Sequence, residues 1–325
     1  MHVGSFIAKG GGGTINKVWD LGRNQINVMK RTRDNVSADR VRKGKAPTDV
    51  EAKNLRKINP KGEKGVQRAP YAVFRVVSKG VTQAGFLTHR YDGDLSSHLS
   101  SIDEAGNAND RQVSFTTPQL VSAGRQIFSG VTLLDQKNVS DPDIKCANLF
   151  VRMCEDNSYE FHIADFDQAR FMDDSLFTSE EFQKDPVGGS SSDSISYEAH
   201  QWLSLTGKAI VDLQNILKLT PREKKENLSQ LREQREMLQQ KLGEAKDDNA
   251  KKKLEASLRK YDSVIRLLET PDEQLQQQLG SMKDNYRNIV RNIHVASAGH
   301  LLYQMLDGDV NPRIGKADFN QLKKK

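Results

Sequence analysis

The sequence predicts an α+β protein built in several parts, and three observations predict it. Residues 1–92 alternate short β-prone runs with Gly-rich turns. Residues 93–202 mix amphipathic helical spacing with brief apolar strands. Residues 203–293 carry leucines at heptad-like spacing, the pattern of an inserted helical hairpin, and residues 294–325 hold a last helix and a tail.

In the first part, Val3 to Ile7, Ile15 to Leu21 and Gln25 to Arg31 read as strands divided by a glycine run and a Gly-Arg-Asn turn. Thr48 to Ile58 predicts a helix. Thr48 is its cap, Glu51 lies three residues on, and Val50, Leu55 and Ile58 share a face. Pro60-Lys61-Gly62 stops it. Tyr71 to Val77 and Gly85 to Thr88 complete a five-stranded sheet with one helix inserted after its third strand.

In the second part, Leu95 to Ile102 predicts a short helix and Pro118 to Leu134 a longer amphipathic one. Leu149-Phe150-Val151 and Phe161-His162-Ile163 are brief strands around a polar turn, and the Gly and Ser of 188–196 mark a loop. In the third part, Pro221 suits a first helical turn. Leu228, Leu231, Leu238 and Leu242 form one seam; Leu254, Leu258, Tyr261, Ile265 and Leu268 form another. Two arms of about 20 residues would pack antiparallel over roughly 30 Å. This 222–270 hairpin is either a partner-binding arm or an insertion packed on its own domain.

The chain has 325 residues, 36% hydrophobic and 28% charged, which fits a water-soluble protein. No apolar run is long enough to span a membrane, and no charged-then-apolar leader opens the sequence. Cytoplasmic residence follows as the expectation, with Cys146 and Cys154 as ordinary reduced thiols. The net charge of +6 is unevenly placed: residues 29–68 hold 13 Lys or Arg against 5 Asp or Glu. Aromatic residues are not interleaved with these cations, which disfavours nucleic acid as the partner. A solvated face, together with lysines that serve a nucleotide, accounts for the excess.

Four fragments carry chemistry, and their order matters. Ala8-Lys9-Gly10-Gly11-Gly12-Gly13-Thr14-Ile15 is a glycine-rich turn whose backbone N–H groups can approach phosphate oxygens. Lys30 follows on the third strand, where its ammonium would reach the α- and β-phosphates, and Glu51 supplies a counter-charge. Asp143-Ile144-Lys145-Cys146-Ala147-Asn148 offers a carboxylate to take a hydroxyl proton, a cation for a migrating phosphoryl group, and an amide oxygen for a metal ion. Asp165 of Asp165-Phe166-Asp167 adds a carboxylate for magnesium. Phosphoryl transfer requires mainly positioning and charge neutralisation, which these groups provide.

These fragments together resemble the protein kinase superfamily, over residues 3–202 and again over 294–310. The resemblance includes the glycine-rich turn, Lys30, Glu51, a hinge-like Tyr91-Asp92-Gly93-Asp94-Leu95, the 143–148 segment and the Asp165 triplet. Tyr197-Glu198-Ala199-His200-Gln201 is similar to a degenerate activation-segment end, and 294–308 to the central helix of the larger lobe. Lys208 to Leu219 offers a second candidate for that helix. The resemblance implies a two-lobed kinase-like fold with the helical hairpin inserted in the C-lobe. It implies Mg2+ and ATP as cofactors, with the nucleotide against Ala8, Gly10, Gly11, Gly12, Gly13, Ile15, Val28, Lys30, Glu51, Thr88, Tyr91 and Asp92. It also implies Asp143, Lys145 and Lys30 as the catalytic groups, Asn148 and Asp165 as metal ligands, and a protein substrate.

Departures narrow the expectation. Asp141-Pro142-Asp143 stands where the family has His-Arg-Asp, and His294 replaces the aspartate that opens the central helix. Loss of both partners implies activity without activation-loop phosphorylation. Asp167 replaces a glycine and is similar to small-molecule kinases, whereas Lys145 is typical of Ser/Thr protein kinases, and the latter is preferred. The shortened C-lobe and foreign helical block resemble effector kinases that bacterial pathogens deliver into host cells through a specialised secretion system. Two alternatives stand beside this: a pseudokinase scaffold that binds a partner through the hairpin, and a transferase of AMP on the same fold.

Overall fold

The computed structural model describes residues 2–9, 14–20, 25–32, 36–78, 81–99, 115–188 and 197–307. Gly10 to Gly13 and most of the 188–196 loop lie outside them. The chain is mixed α+β and groups into two compact units. The first comprises residues 1–173, 188–199 and 290–325; the second comprises 174–187 and 200–289.

The first unit opens with strands β1 (His2–Lys9), β2 (Thr14–Asp20) and β3 (Gln25–Arg31). Two helices follow, α1 (Ala38–Arg42) and α2 (Pro47–Ile58), where the sequence predicts one. Ser37 caps α1 by accepting from Arg40 N, a signal hidden in a stretch dominated by charge. Ala46, not Thr48, is the N-cap of α2, and Pro47 takes the first turn. Thr48 is buried and donates to the Ala84 carbonyl (3.4 Å). After β4 (Gly65–Val66) come β5 (Ala72–Ser78) and β6 (Val81–Thr88). The predicted five-stranded sheet forms, antiparallel in the order β1-β2-β3-β6-β5.

Next are β7 (Gly93–Asp94), α3 (Leu95–Leu99), α4 (Thr117–Gln136) and β8 (Val139–Ser140). A 3-10 turn (Cys146–Asn148) leads into β9 (Leu149–Met153), then β10 (Tyr159–Ile163) and β11 (Arg170–Phe171). A second sheet runs β4-β10-β9-β7. Its β4 lies so close to α4 that a side chain fits at neither contact: a Cβ on Gly65 would sit 2.3 Å from the Gln126 carbonyl, and one on Gly130 2.3 Å from the Gly65 carbonyl. One apolar core joins Leu55 and Ile58 of α2, Ile127 and Leu134 of α4, Val151, Phe161 and Phe166.

The second unit contains α5 (Asp174–Thr178), α6 (Glu180–Lys184), most of α7 (Tyr197–Lys218), α8 (Pro221–Glu244), α9 (Asp248–Glu269) and the first half of α10 (Asp272–Asp307). It therefore recruits 174–187, outside the block predicted from 203. Phe177, Phe182 and Tyr286 meet edge to face, and the Tyr286 hydroxyl donates to the Pro186 carbonyl (2.5 Å). Arms α8 and α9 form the predicted hairpin. Thr220 and Glu223 make a capping box on α8, and Asp247 caps α9. Arg235 pairs with Asp262 and Arg232 with Glu269, both at 2.5 Å across the arms. The last helix starts at Asp272, well before the predicted 294. Among the described residues no helix is long and apolar enough to cross a membrane.

Candidate active site

Strand pairing puts Lys30 opposite Ile15 and Phe86 in the middle of the sheet. Helix α2 turns Glu51 inward beside Leu55 and Ile58, all essentially inaccessible to solvent. Lys30 Nζ lies 2.7 Å from Glu51 Oε2 and 2.6 Å from Asp165 Oδ1. Residues 135 apart in sequence thus share one ion-paired cluster. Burial by itself opposes a charge on Lys30, but the carboxylates of Glu51 and Asp165 outweigh it and hold the ammonium above its ordinary pKa. Burial also pushes the Glu51 carboxyl up, with the Lys30 charge pulling against it.

The β9–β10 pairing brings in the other half. Leu149 pairs with Ile163, and the Ala164 N–H extends that ladder to the Asn148 carbonyl (2.8 Å). Asn148 and Asp165 therefore emerge at the same end of the hairpin. Asp165 adopts φ +66°, a left-handed conformation that an L residue rarely takes without compensation from its surroundings. Asn148 Nδ2 donates to both the carbonyl and Oδ2 of Asp143, each at 2.9 Å, which leaves its Oδ1 as the atom a cation would meet. Lys145 Nζ lies 3.0 Å from Asp143 Oδ2. All five predicted polar groups, with Lys145, belong to this one unit.

The nucleotide contacts are placed unevenly. Val28 and Thr88 face each other across β3 and β6, beside Lys30 and Phe86. The Ala8 backbone pairs with Ile15 at the root of the glycine-rich turn, whose four glycines lie outside the described residues. The Tyr91 ring packs on Phe150 and His162, and burial pushes its hydroxyl up to about 12. Asp92 is likewise committed elsewhere. Its N–H donates to the Val151 carbonyl (2.8 Å), and its carboxylate accepts from Met153 N (2.8 Å).

Two supporting residues, Asn54 and Gln304, escaped the sequence reading; a third, His294, is read there as the mark of a lost contact. Asn54 lies one helical turn after Glu51, and its Nδ2 donates to the carbonyls of Phe166 (2.8 Å) and Ala169 (3.0 Å). It ties the turn after Asp165 to the helix that carries Glu51; a polar residue three positions from Glu51 on a buried face was the available signal. Replacing Asn54 by Ala removes this donor from both carbonyls, although Phe166 O keeps the Ala169 N–H (3.4 Å). The expected loss is about 1–3 kcal/mol of stability for the carbonyl left unsatisfied, read by urea denaturation.

His294 and Gln304 of α10 hold the 141–148 loop. The Asp141 N–H donates to His294 Nε2 (3.0 Å), and Cys146 Sγ donates to Gln304 Oε1 (2.9 Å). Of the two candidate helices, the one at 294 is thus the one that meets the 141–148 loop, and its histidine supports that loop's backbone. Burial holds His294 down to about 4, so it is neutral with its proton on Nδ1. Burial also pushes the Cys146 thiol up to about 12, with the Asp94 charge adding to it.

Four acids, Asp141, Asp143, Asp165 and Asp167, act on one another through space. Burial pushes Asp141 up to about 8 and, with Asp165 beside it, Asp167 up to about 6. Asp141 then keeps its proton in the folded chain and releases it on unfolding between about pH 4 and pH 8, so its contribution to stability falls as pH rises through that window. Asp141→Asn lacks this titration. Its stability relative to wild type should improve from about pH 5 to about pH 8, a trend that urea melts at several pH values would read.

Among the described residues no three His, Cys, Asp or Glu side chains are arranged to hold a metal alone. Asn148 Oδ1 and the Asp165 carboxylate are nevertheless hard oxygen donors, a set that suits magnesium when phosphate oxygens complete its shell. No protein-family model matches this chain, and no curated protein is a significant match.

Proposed function

We propose that the chain is an ATP-dependent phosphotransferase with a two-lobed, protein-kinase-like arrangement around this site, and that it transfers the γ-phosphate to a Ser or Thr hydroxyl of a protein. The observation that carries the reading is Lys30 bridging Glu51 and Asp165. A scaffold would have no need of a part-buried lysine held between two acids beside a third acid, Asp143, ordered by an amide and a lysine.

In this mechanism Lys30, fixed by Glu51, fastens the α- and β-phosphates. Asn148 and Asp165 are the residues that would hold magnesium, which would supply charge neutralisation for the phosphates when bound. Asp143 orients the substrate hydroxyl and takes its proton as the oxygen bonds to the γ-phosphorus and the bond to the β-phosphate oxygen breaks. Lys145, beside Asp143, balances the charge of the migrating group.

The test is transfer of label from ATP to a mixed protein substrate. Label from the γ position means phosphotransfer, label from the α position means AMP transfer, and neither means a binding protein. One regulatory consequence follows. The 141–148 loop is held by His294 and Gln304, neither of which needs a phosphate. Phosphatase-treated protein should therefore transfer phosphate as fast as untreated protein in initial-rate assays.

A further inference from the structure

The cation excess of residues 29–68 does not serve the nucleotide site. Among the described Lys and Arg of this stretch, Lys30 alone is placed there; Arg42 and Lys43 pair with Asp39, and Asp49 is held by Arg75 from outside the stretch. Of the others, Arg31 bonds Gln83 and Asn16, and Arg40 bonds the Lys45 carbonyl. Five more make a strip on the outer side of α2 and the turn after it: Lys53, Arg56, Lys57, Lys61 and Lys64, all exposed. No carboxylate pairs with any of the five among the described residues. Lys57 does sit 4.8 Å over the Phe171 ring, a contact that leaves its charge uncompensated.

This arrangement works against the helix. Lys53 with Arg56 and Lys53 with Lys57 are like-charge neighbours at three- and four-residue spacing, which destabilise a helix. A remedy lies in the sequence, since Asp49 precedes Lys53 by four residues, the favourable order for an ion pair. The fold instead sends Asp49 to Arg75 at 2.7 Å. The helix dipole favours cations in the last turn and so accounts for Arg56 and Lys57. It does not account for Lys53, Lys61 or Lys64.

We propose that this strip docks an acidic segment of a partner protein, which the transferase reading makes the substrate. The docking itself does not depend on that reading. Charge complementarity selects the occupant. An amphipathic membrane helix would set exposed apolar side chains beside the cations, but of the apolar residues of α2, Ala52, Leu55 and Ile58 are buried and Val50 is half-buried. The same helix carries Glu51 on its inner side, so a docked segment lies on the outer side of an element that positions Lys30.

The full chain should be titrated with a fluorescein-labelled peptide of Asp, Glu and one Ser, with the same peptide in Asn and Gln as control, reading anisotropy. Wild type should bind the acidic peptide and not the control, and binding should weaken as salt rises. Lys53→Glu/Arg56→Glu/Lys57→Glu should weaken it at least about tenfold, and the neutral Gln triple, which keeps the helix formers, should weaken it in the same direction. Equal binding by a folded triple variant overturns the proposal. So does wild type that ignores the peptide, whether or not it binds phosphatidylserine vesicles. A label-transfer arm separates the two readings: docking that persists with no phosphate transfer to any peptide would retire the transferase and leave the docking surface standing.

Discussion

Lys30→Ala should abolish phosphate transfer, with a fall in rate of at least about 10²–10³-fold, the range seen when one preorganised charge is removed from a reacting phosphate or oxyanion. The same substitution should destabilise the fold, because it strands the Glu51 carboxylate, which is 1% exposed. Removing one partner of a buried ion pair costs about 3–5 kcal/mol, and Glu51 can escape part of that by taking up a proton. The two effects separate by a double substitution. Lys30→Met with Glu51→Gln removes both charges and should recover most of the stability in urea melts, while recovering none of the transfer. Recovery of activity with stability would mean that Lys30 serves only the fold.

His294→Ala should lower the transfer rate by about a hundredfold, the penalty expected when a catalytic loop loses its register by about an ångström. Its nucleotide affinity should change little, because Lys30, Glu51 and Val28 sit on other elements. The cause is local. The Asp141 N–H would lose its buried acceptor, and Asp143 hangs from the same short segment through its own N–H, which donates to Asp141 Oδ1 (3.3 Å). Leaving one such group unsatisfied costs about 1–3 kcal/mol. His294→Gln should restore much of the rate, since Gln Oε1 can occupy the place of Nε2. A residue with a purely structural role would lower the folded fraction, and with it rate and nucleotide binding alike.

The site was legible because its residues announce themselves at fixed places on recurring elements. A lysine ending a strand, a glutamate on the next helix, and acids around a short hairpin lead to one cluster by strand register alone. The β9–β10 hairpin carries Asn148 and Asp165 to the same end, as the alternation of Leu149-Phe150-Val151 and Phe161-His162-Ile163 implies. The hairpin arms were legible for the same reason, since the leucine seams fix which faces meet.

What stayed hidden was decided by tertiary contact. Tyr91 carries nothing in its neighbours in sequence to show that its ring belongs between Phe150 and His162. Helix α1 is five residues among charges, with no apolar period to detect. Asn54 and His294 act through backbone partners 112 and 153 residues away, and a backbone partner leaves no trace in side-chain pattern. The start of α10 at Asp272 was masked by Thr270-Pro271, which ends one helix and begins the next.

The central claim is that Lys30, Glu51, Asp143, Asn148 and Asp165 surround one magnesium–nucleotide. Calorimetric titration of the intact chain with ATP, with and without magnesium, tests it most directly. Binding should require magnesium for full strength, and Asp165→Ala should remove the magnesium dependence while Lys30→Ala weakens binding in either condition. A chain that takes up no ATP, or one whose affinity is untouched by both substitutions, would contradict the account.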